Sequence, residues 1–277
     1  MKRLKLTLVL ILCLTMHNAS PAQDTGPMTR LRTHATLFGV GYHNLLDTYL
    51  SPSEYTGTTV RILREHNRHT RLMKGNIAMQ NSLQGNLAYC NSPTEDAKDI
   101  AGGVDWTIAW RYQWSPRTNL KVLAGPMAAA HLGFVYNTRN GNNPAQARAA
   151  VDIGLSAAAI CDFRLLNRTW SARYQIEVPL IGLMFSPNYT QSYYEIFSLG
   201  HYDHNVCVTN PVQAFNLNQM LSLDLPVGTH VVRVGYQCGI RQSHVNHLKT
   251  HDWTHTFLVG YVKTFQLVKP RYRTSEL

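Results

Sequence analysis

The chain has 277 residues, 44% of them hydrophobic and 15% charged, and carries a formal net charge of +10. That length holds one large domain or two small ones. Charged or strongly polar residues interrupt every apolar run beyond the N-terminus, which excludes a membrane-spanning helix and leaves a closed β-barrel as the remaining way to cross a bilayer.

The first residues, MKRLKLTLVLILCLTMHNASPAQD, follow the pattern of a secretory signal peptide. Lys2, Arg3 and Lys5 form a basic start, Leu6 to Met16 an apolar core, and Ser20-Pro21-Ala22 a small-residue exit. The apolar run falls short of the roughly 20 residues that a span needs. Cys13 comes early and follows Leu12, so a lipoprotein signal is not read. Removing residues 1–22 takes three basic and no acidic residues, which leaves a mature charge of +7. Export argues against nucleic acid, and anionic lipid headgroups or surface glycans are the expected partners. Residues 23–277 are expected to form one domain.

Strands follow in chain order. The first pair, near residues 30–43 and 57–66, alternates weakly, and NIAMQNSLQGNLAY (76–89) does so loosely. VDWTIAWRYQW (104–114) is sharper: Val104, Trp106, Ile108, Trp110, Tyr112 and Trp114 share one face, while Asp105, Thr107, Ala109, Arg111 and Gln113 share the other. VDIGLSAAAICDF (151–163) follows. In WSARYQIEV (170–178) Trp170, Tyr174 and Ile176 oppose Arg173, Gln175 and Glu177. FNLNQMLSLDL (215–225) sets Phe215, Leu217, Leu221 and Leu223 against Asn216, Asn218, Ser222 and Asp224. In HVVRVGYQCGIR (230–241) Val232, Val234, Tyr236 and Ile240 oppose Arg233, Gly235, Gln237, Gly239 and Arg241. WTHTFLVGYVKTF (253–265) ends the series with Tyr261 and Phe265 on one face, and QLVKPRYRTSEL follows it.

A soluble sandwich alternates too, so the period alone does not decide. The apolar faces carry aromatics at strand ends (Trp106, Trp114, Trp170, Trp253, Tyr89, Tyr136, Tyr261), as interfacial girdles do. The other faces carry Arg and Glu in mid-strand, as a wet lumen permits. Links of 67–74, 115–118, 164–168 and 226–228 are short, and those of 44–57, 90–102, 137–147, 184–213 and 242–252 are long. Short links follow even strands throughout, so the expectation is a closed antiparallel outer-membrane barrel of about 10 strands (10–12), with both ends periplasmic. Its last strand is similar to the signal read by barrel-assembly machinery during biogenesis.

DTYLSPSEYTGTTVRI (47–62), together with RVGYQCGIRQSHVNHLKTHDWTHTFLVGY (233–261), resembles an uncharacterised family of Bacteroidota-type outer-membrane proteins, domain of unknown function 3316. The resemblance extends over roughly 30–265. It implies a barrel in the outer membrane and brings no activity and no catalytic residues. Within the loop segment, Pro52 and Gly57 favour a turn that Tyr49 and Tyr55 bracket.

Among chemistry-bearing residues, Cys90, Cys161, Cys207 and Cys238 allow three disulfide connectivities that spacing cannot choose between. His244, His247, His251 and His255 fall around the last long link, with His201 and His204 in the preceding one; imidazoles suit zinc or copper, yet no pattern here fixes a metal geometry, and neither metal nor cofactor is expected. Ser243 beside His244 is the nearest nucleophile–base pairing. Adjacent strand residues face opposite ways, so no enzyme is expected. By parity Arg61, Glu65, Asp105, Arg111, Lys121, Asp152, Arg173, Glu177, Asp224, Arg233 and Arg241 face the lumen. They either pack it as a polar plug or line a narrow path for small anions, with Gly125, Gly133, Gly154, Ser156, Gly235 and Gly239 leaving room; in a barrel this narrow the packed lumen is preferred. The expected role is structural or surface-interacting, through a glycan or protein at the long loops, with the anion channel and a lipid-modifying enzyme behind it.

Overall fold

The computed structural model describes residues 30–141 and 143–267. The signal peptide expected over 1–22, and residues 268–277 of the tail expected after Phe265, lie outside the described residues.

The described residues form eleven strands: β1 (Arg30–Asp47), β2 (Ser51–His69), β3 (Ile77–Asn91), β4 (Lys98–Arg117), β5 (Leu120–Asn137), β6 (Ala145–Leu165), β7 (Arg168–Phe185), β8 (Val206–Thr209), β9 (Ala214–Val227), β10 (His230–Val245) and β11 (Leu248–Leu267). All but the four-residue β8 stand side by side in chain order, each antiparallel to the next, and β11 returns to β1. The result is one closed sheet of ten strands rather than two sheets packed face to face.

Alternation drives this closure. Every second residue faces outward, and those positions in the middle of the wall are apolar and exposed: Phe38 and Val40 on β1, Ile153 and Leu155 on β6, Phe257 and Val259 on β11. Phe257 is 70% exposed. Such a continuous belt is costly in water and favourable in lipid. Strands of up to 21 residues exceed the 9–11 or so that a tilted strand needs to cross hydrocarbon, so they project past it.

That projection corrects the loop boundaries. Residues 44–57 are not a long loop, because β1 and β2 continue to a three-residue turn at Thr48–Leu50. Nor are residues 242–252, because β10 and β11 run on to a two-residue turn at Asn246–His247. Both turn residues have positive φ (51° and 60°), the backbone of a tight hairpin. Outside the bilayer a strand has no lipid to face, so its outward positions are free to be polar and its alternation fades. The segments 92–97 and 138–144 shorten in the same way. At the other end, Leu166–Asn167 and Gly228–Thr229 are tight turns as expected, and a 3-10 turn at Leu72–Gly75 joins β2 to β3. Among the described residues only the 186–213 connection is long, and it folds on itself: α1 (Tyr193–Phe197) is followed by β8, which pairs with the end of β7.

The wall is uneven. β1 pairs with β11 over eighteen residues, from Arg30↔Leu267 to Asp47↔Thr250. β7 pairs with β9 over seven, from Ser171↔Asp224 to Glu177↔Asn218. Past Glu177 the two strands part, β7 carries a bulge at Leu180 against β6, and β8 fills the space against Gly182–Phe185. Two apolar clusters lie inside. Leu45, Leu50, Tyr55, Ala88, Cys90, Ala97, Ala101 and Val135 cap the loop end, while Ala35, Leu37, Leu63, Met220, Leu258 and Val262 coat one side of the lumen.

Candidate functional site

The inward faces of the strands meet at mid-height in one hydrogen-bonded layer. Glu65 on β2, 2% exposed, accepts from Arg173 Nη1 of β7 at 3.2 Å and Arg233 Nη1 of β10 at 2.7 Å, and its other oxygen accepts from Gln80 Nε2 at 2.9 Å. Arg233 makes a two-pronged bond to Asp224 of β9, at 2.5 and 2.8 Å, the geometry that suits guanidinium to carboxylate. Arg173 also reaches Gln80 and Gln175, and Arg111 reaches Gln80 and, at 3.0 Å, Ser156 Oγ of β6. Glu177 receives Gln175 Nε2 at 2.6 Å and Asn218 Nδ2 at 2.9 Å, with Arg111 3.7 Å away. Three guanidiniums thus face three carboxylates. Side chains from β2, β3, β4, β6, β7, β9 and β10 are tied across the lumen.

This layer separates two spaces. On the side of the chain ends lies a vestibule of about 450 Å³, lined by Asn67, Lys121, Arg111, Arg173, Asp224 and Arg233. Lys121 there is paired with Asp162 at 3.1 Å. On the loop side is a smaller cavity of about 110 Å³, lined by Arg61, Asp105, His131, Asp152, Arg241 and Asp252. Asp105 holds Arg241 Nη2 at 2.6 Å, His131 Nδ1 at 2.7 Å and Gln84 Nε2 at 3.0 Å. Arg61 is 7% exposed, donates to Thr254 Oγ1 at 3.3 Å, and leaves its Nε without a partner.

Each charged residue read as lumenal by parity thus lies inside the barrel. Reasoning from sequence missed a further group above the cavity. Asp47 and Asp252 share Arg148, at 3.0 and 3.6 Å, and His43 Nε2 lies 2.8 Å from Asp252. With these counted, the described interior holds no excess of cations.

The loop motif around Asp47 acquires a structural explanation. Asp47 Oδ1 accepts from the Tyr49 N–H at 3.2 Å and fixes the turn. Tyr55 turns inward, and its hydroxyl accepts from Asn137 Nδ2 at 3.0 Å. The Tyr49 hydroxyl donates to the Gln191 carbonyl at 2.9 Å, joining the turn to the long loop, and burial pushes its pKa up to about 12. In that loop Ser192 and Glu195 form a reciprocal cap on α1, and the hydrogen bonds from Ser192 hold the Glu195 carboxyl below its ordinary value. Tyr189, Tyr194, Phe197 and Tyr202 remain exposed on the loop surface.

The histidines are scattered. His251 packs on Trp253 and contacts Asn44 Oδ1 at 2.7 Å, His255 contacts the Tyr236 hydroxyl on the outer wall, and His247 sits in the tight turn. His244, His201 and His204 are exposed. Among the described residues no three His, Cys, Asp or Glu side chains group to hold a metal ion. Ser243 bonds Thr250 Oγ1 at 2.7 Å inside the wall, whereas His244 is exposed on the other face. Cys90 is buried on the inner face of β3 and Cys207 lies on β8, and among the described residues no disulfide forms.

A family model described as "Protein of unknown function (DUF3316)" matches residues 6–272. No curated protein matches the chain. Among solved structures, the outer membrane protease OmpT from Escherichia coli is similar at 8% identity, over 89% of this chain and 100% of that one, with a TM-score of 0.43. The β domain of the Bordetella autotransporter BrkA is similar at 11% identity, over 84% and 100%, with a TM-score of 0.40. The COG4313 outer membrane channel from Pseudomonas putida F1 is similar at 9% identity, over 90% and 100%, with a TM-score of 0.34.

Proposed function

The chain belongs to the DUF3316 family of proteins of unknown function, and from that premise we propose an outer-membrane barrel with a closed lumen, acting through its outer loops at the cell surface. The apolar belt supports the membrane, and the signal peptide read in the sequence supports export. The observation that carries the reading is the polar layer around Glu65. It neutralises its own charges and uses hydrogen-bonding groups that an open aqueous path would leave to water. With the lumen occupied, the surface left to act is the 186–213 loop. Its exposed Tyr189, Tyr194, Phe197 and Tyr202 are of the kind that stack on a glycan or fill a protein pocket.

An anion channel would need a continuous path and a cationic lining; the hydrogen-bonded layer argues against the first and the balanced interior against the second. A lipid-modifying enzyme built on Ser243 and His244 is disfavoured because the two side chains face opposite ways.

The test is conductance. Mature protein refolded in detergent, and shown folded by a heat-sensitive gel shift, is expected to give no steady steps in a planar bilayer. Steady anion-selective steps from that folded material would overturn the closed-lumen reading and make Arg233 and Arg241 the next residues to replace.

A further inference from the structure

The outward side chains of β11, β1 and β2 change character toward the chain-end rim of the barrel. At mid-wall they are Phe257, Val259, Phe38, Val40, Val60 and Ile62, all apolar and exposed. One to three positions further along the same faces come Arg32 and His34 on β1, Arg64, His66 and Arg68 on β2, and Lys263 on β11. The register sets Arg32 opposite Arg68, and His34, stacked on His66, opposite Lys263. Like charges directly opposite on one sheet face repel, so the Arg32–Arg68 pair opposes the pairing of the strands that carry it.

Inside the same barrel, Arg111, Arg173, Arg233 and Arg241 each have a carboxylate within 4 Å. Arg32, Arg64, Arg68 and Lys263 have none among the described residues. Arg68 instead contacts Met79 Sδ at 3.1 Å, and Lys263 lies over the Tyr261 ring at 5.4 Å. Glu54 is the one acid at an outward position of these three strands among the described residues, and it lies at the loop end beside Asn44. The flanking outward residues, Met79, Asn81 and Leu83 on β3 and His230 and Val232 on β10, include no acid. Among the described residues, four permanent cations therefore cluster without a counter-charge, at the level where an apolar wall meets headgroups.

A second feature adjoins them. On the outer wall an apolar groove of about 690 Å³ runs from Phe38 and Ile62 past Gly85 and Gly102 to Leu132 and Phe134. Ile62 is two residues from Arg64 on the same face, about 7 Å along the strand. Gly102 leaves the groove open: a Cβ there would lie 2.9 Å from the side chains of both Leu87 and Phe134. Cations beside an acyl-sized groove match a lipid with an anionic headgroup.

We propose that this rim is a binding site for an anionic phospholipid of the periplasmic leaflet, with phosphate on Arg32, Arg64, Arg68 and Lys263 and one acyl chain in the groove. The assignment rests on the outer-membrane reading and on the chain ends facing the periplasm. Phosphatidylglycerol or cardiolipin has the required chemistry.

Native mass spectrometry of the folded barrel in neutral detergent, titrated with cardiolipin and with phosphatidylcholine, tests it. Wild-type protein is expected to retain cardiolipin preferentially. The R32Q/R64Q/R68Q/K263Q variant should lose that preference by about tenfold or more, with its heat-sensitive gel shift unchanged. Gly102→Leu, filling the groove, should weaken cardiolipin binding and leave inorganic phosphate binding unaltered. Equal retention of cardiolipin and phosphatidylcholine by the wild type would overturn the proposal. So would complete competition by inorganic phosphate, which would mean a free-anion site. Preference for lipid A over cardiolipin would overturn the assignment to the periplasmic leaflet. Failure of the barrel to enter vesicles at all would instead sink the membrane reading beneath it.

Discussion

Glu65 takes two guanidiniums and an amide on one carboxylate, and its removal leaves Arg173 and Arg233 buried with that charge gone. Stripping one partner from a buried ion network costs about 3–5 kcal/mol. Glu65→Ala is therefore expected to lower the unfolding free energy by about that amount, read by tryptophan fluorescence in urea with the barrel in lipid vesicles. An unchanged midpoint would mean that the layer is not what holds the lumen together. Parity alone placed Glu65, Arg173 and Arg233 inside, because a strand offers only two faces. It could not say that they meet, since Arg173 and Arg233 lie 108 and 168 residues from Glu65 and only the closed register joins them. His43 and Arg148 were missed for a different reason. They face inward from stretches whose outward partners are weakly apolar, so no alternation marked them.

Among the elements, the 186–213 loop carries its own stabilising device. Glu195 accepts from the Ser192 N–H and hydroxyl, and its folded pKa lies below the ordinary 4.5. A depressed carboxyl contributes stability that is present above the unfolded value and is lost as pH falls through the folded one. Hydrogen exchange across 193–197 is thus expected to stay slow at neutral pH and to quicken, beyond the intrinsic pH dependence, only in acid. Ser192→Ala should bring fast exchange at neutral pH, and equal rates in the two proteins would remove the cap's role. The Ser-x-x-Glu spacing was present in the sequence ahead of an aromatic run, and it is the signal that separates a helix from a strand there. The hairpins at Thr48–Leu50 and Asn246–His247 were less legible. Their strands leave the lipid, lose the period that marks them, and read as loops until pairing is known.

For the whole molecule, closure and the even strand count followed from period and turn spacing, because lipid on one side and a polar lumen on the other constrain every strand alike. The unevenness of the wall did not follow, since nothing local sets how far two strands stay paired. That unevenness divides the chain. A break at Leu199–Gly200 leaves β1–β7 with α1 in one piece and β8–β11 in the other. The second piece meets the first along eighteen residues of β1, and along β7 through seven residues paired with β9 and four paired with β8. The two pieces, refolded together, are expected to complement one another and give a heat-sensitive band at the position of the intact protein. A break at Thr48–Tyr49 would part β1 from β2 across a long register and should not be tolerated as well. If neither pair of fragments assembles, the short junction is carrying more of the fold than its length indicates. If the first pair does, the barrel is in effect two sheets that recognise each other, and the place where they part is a natural point for inserting foreign sequence.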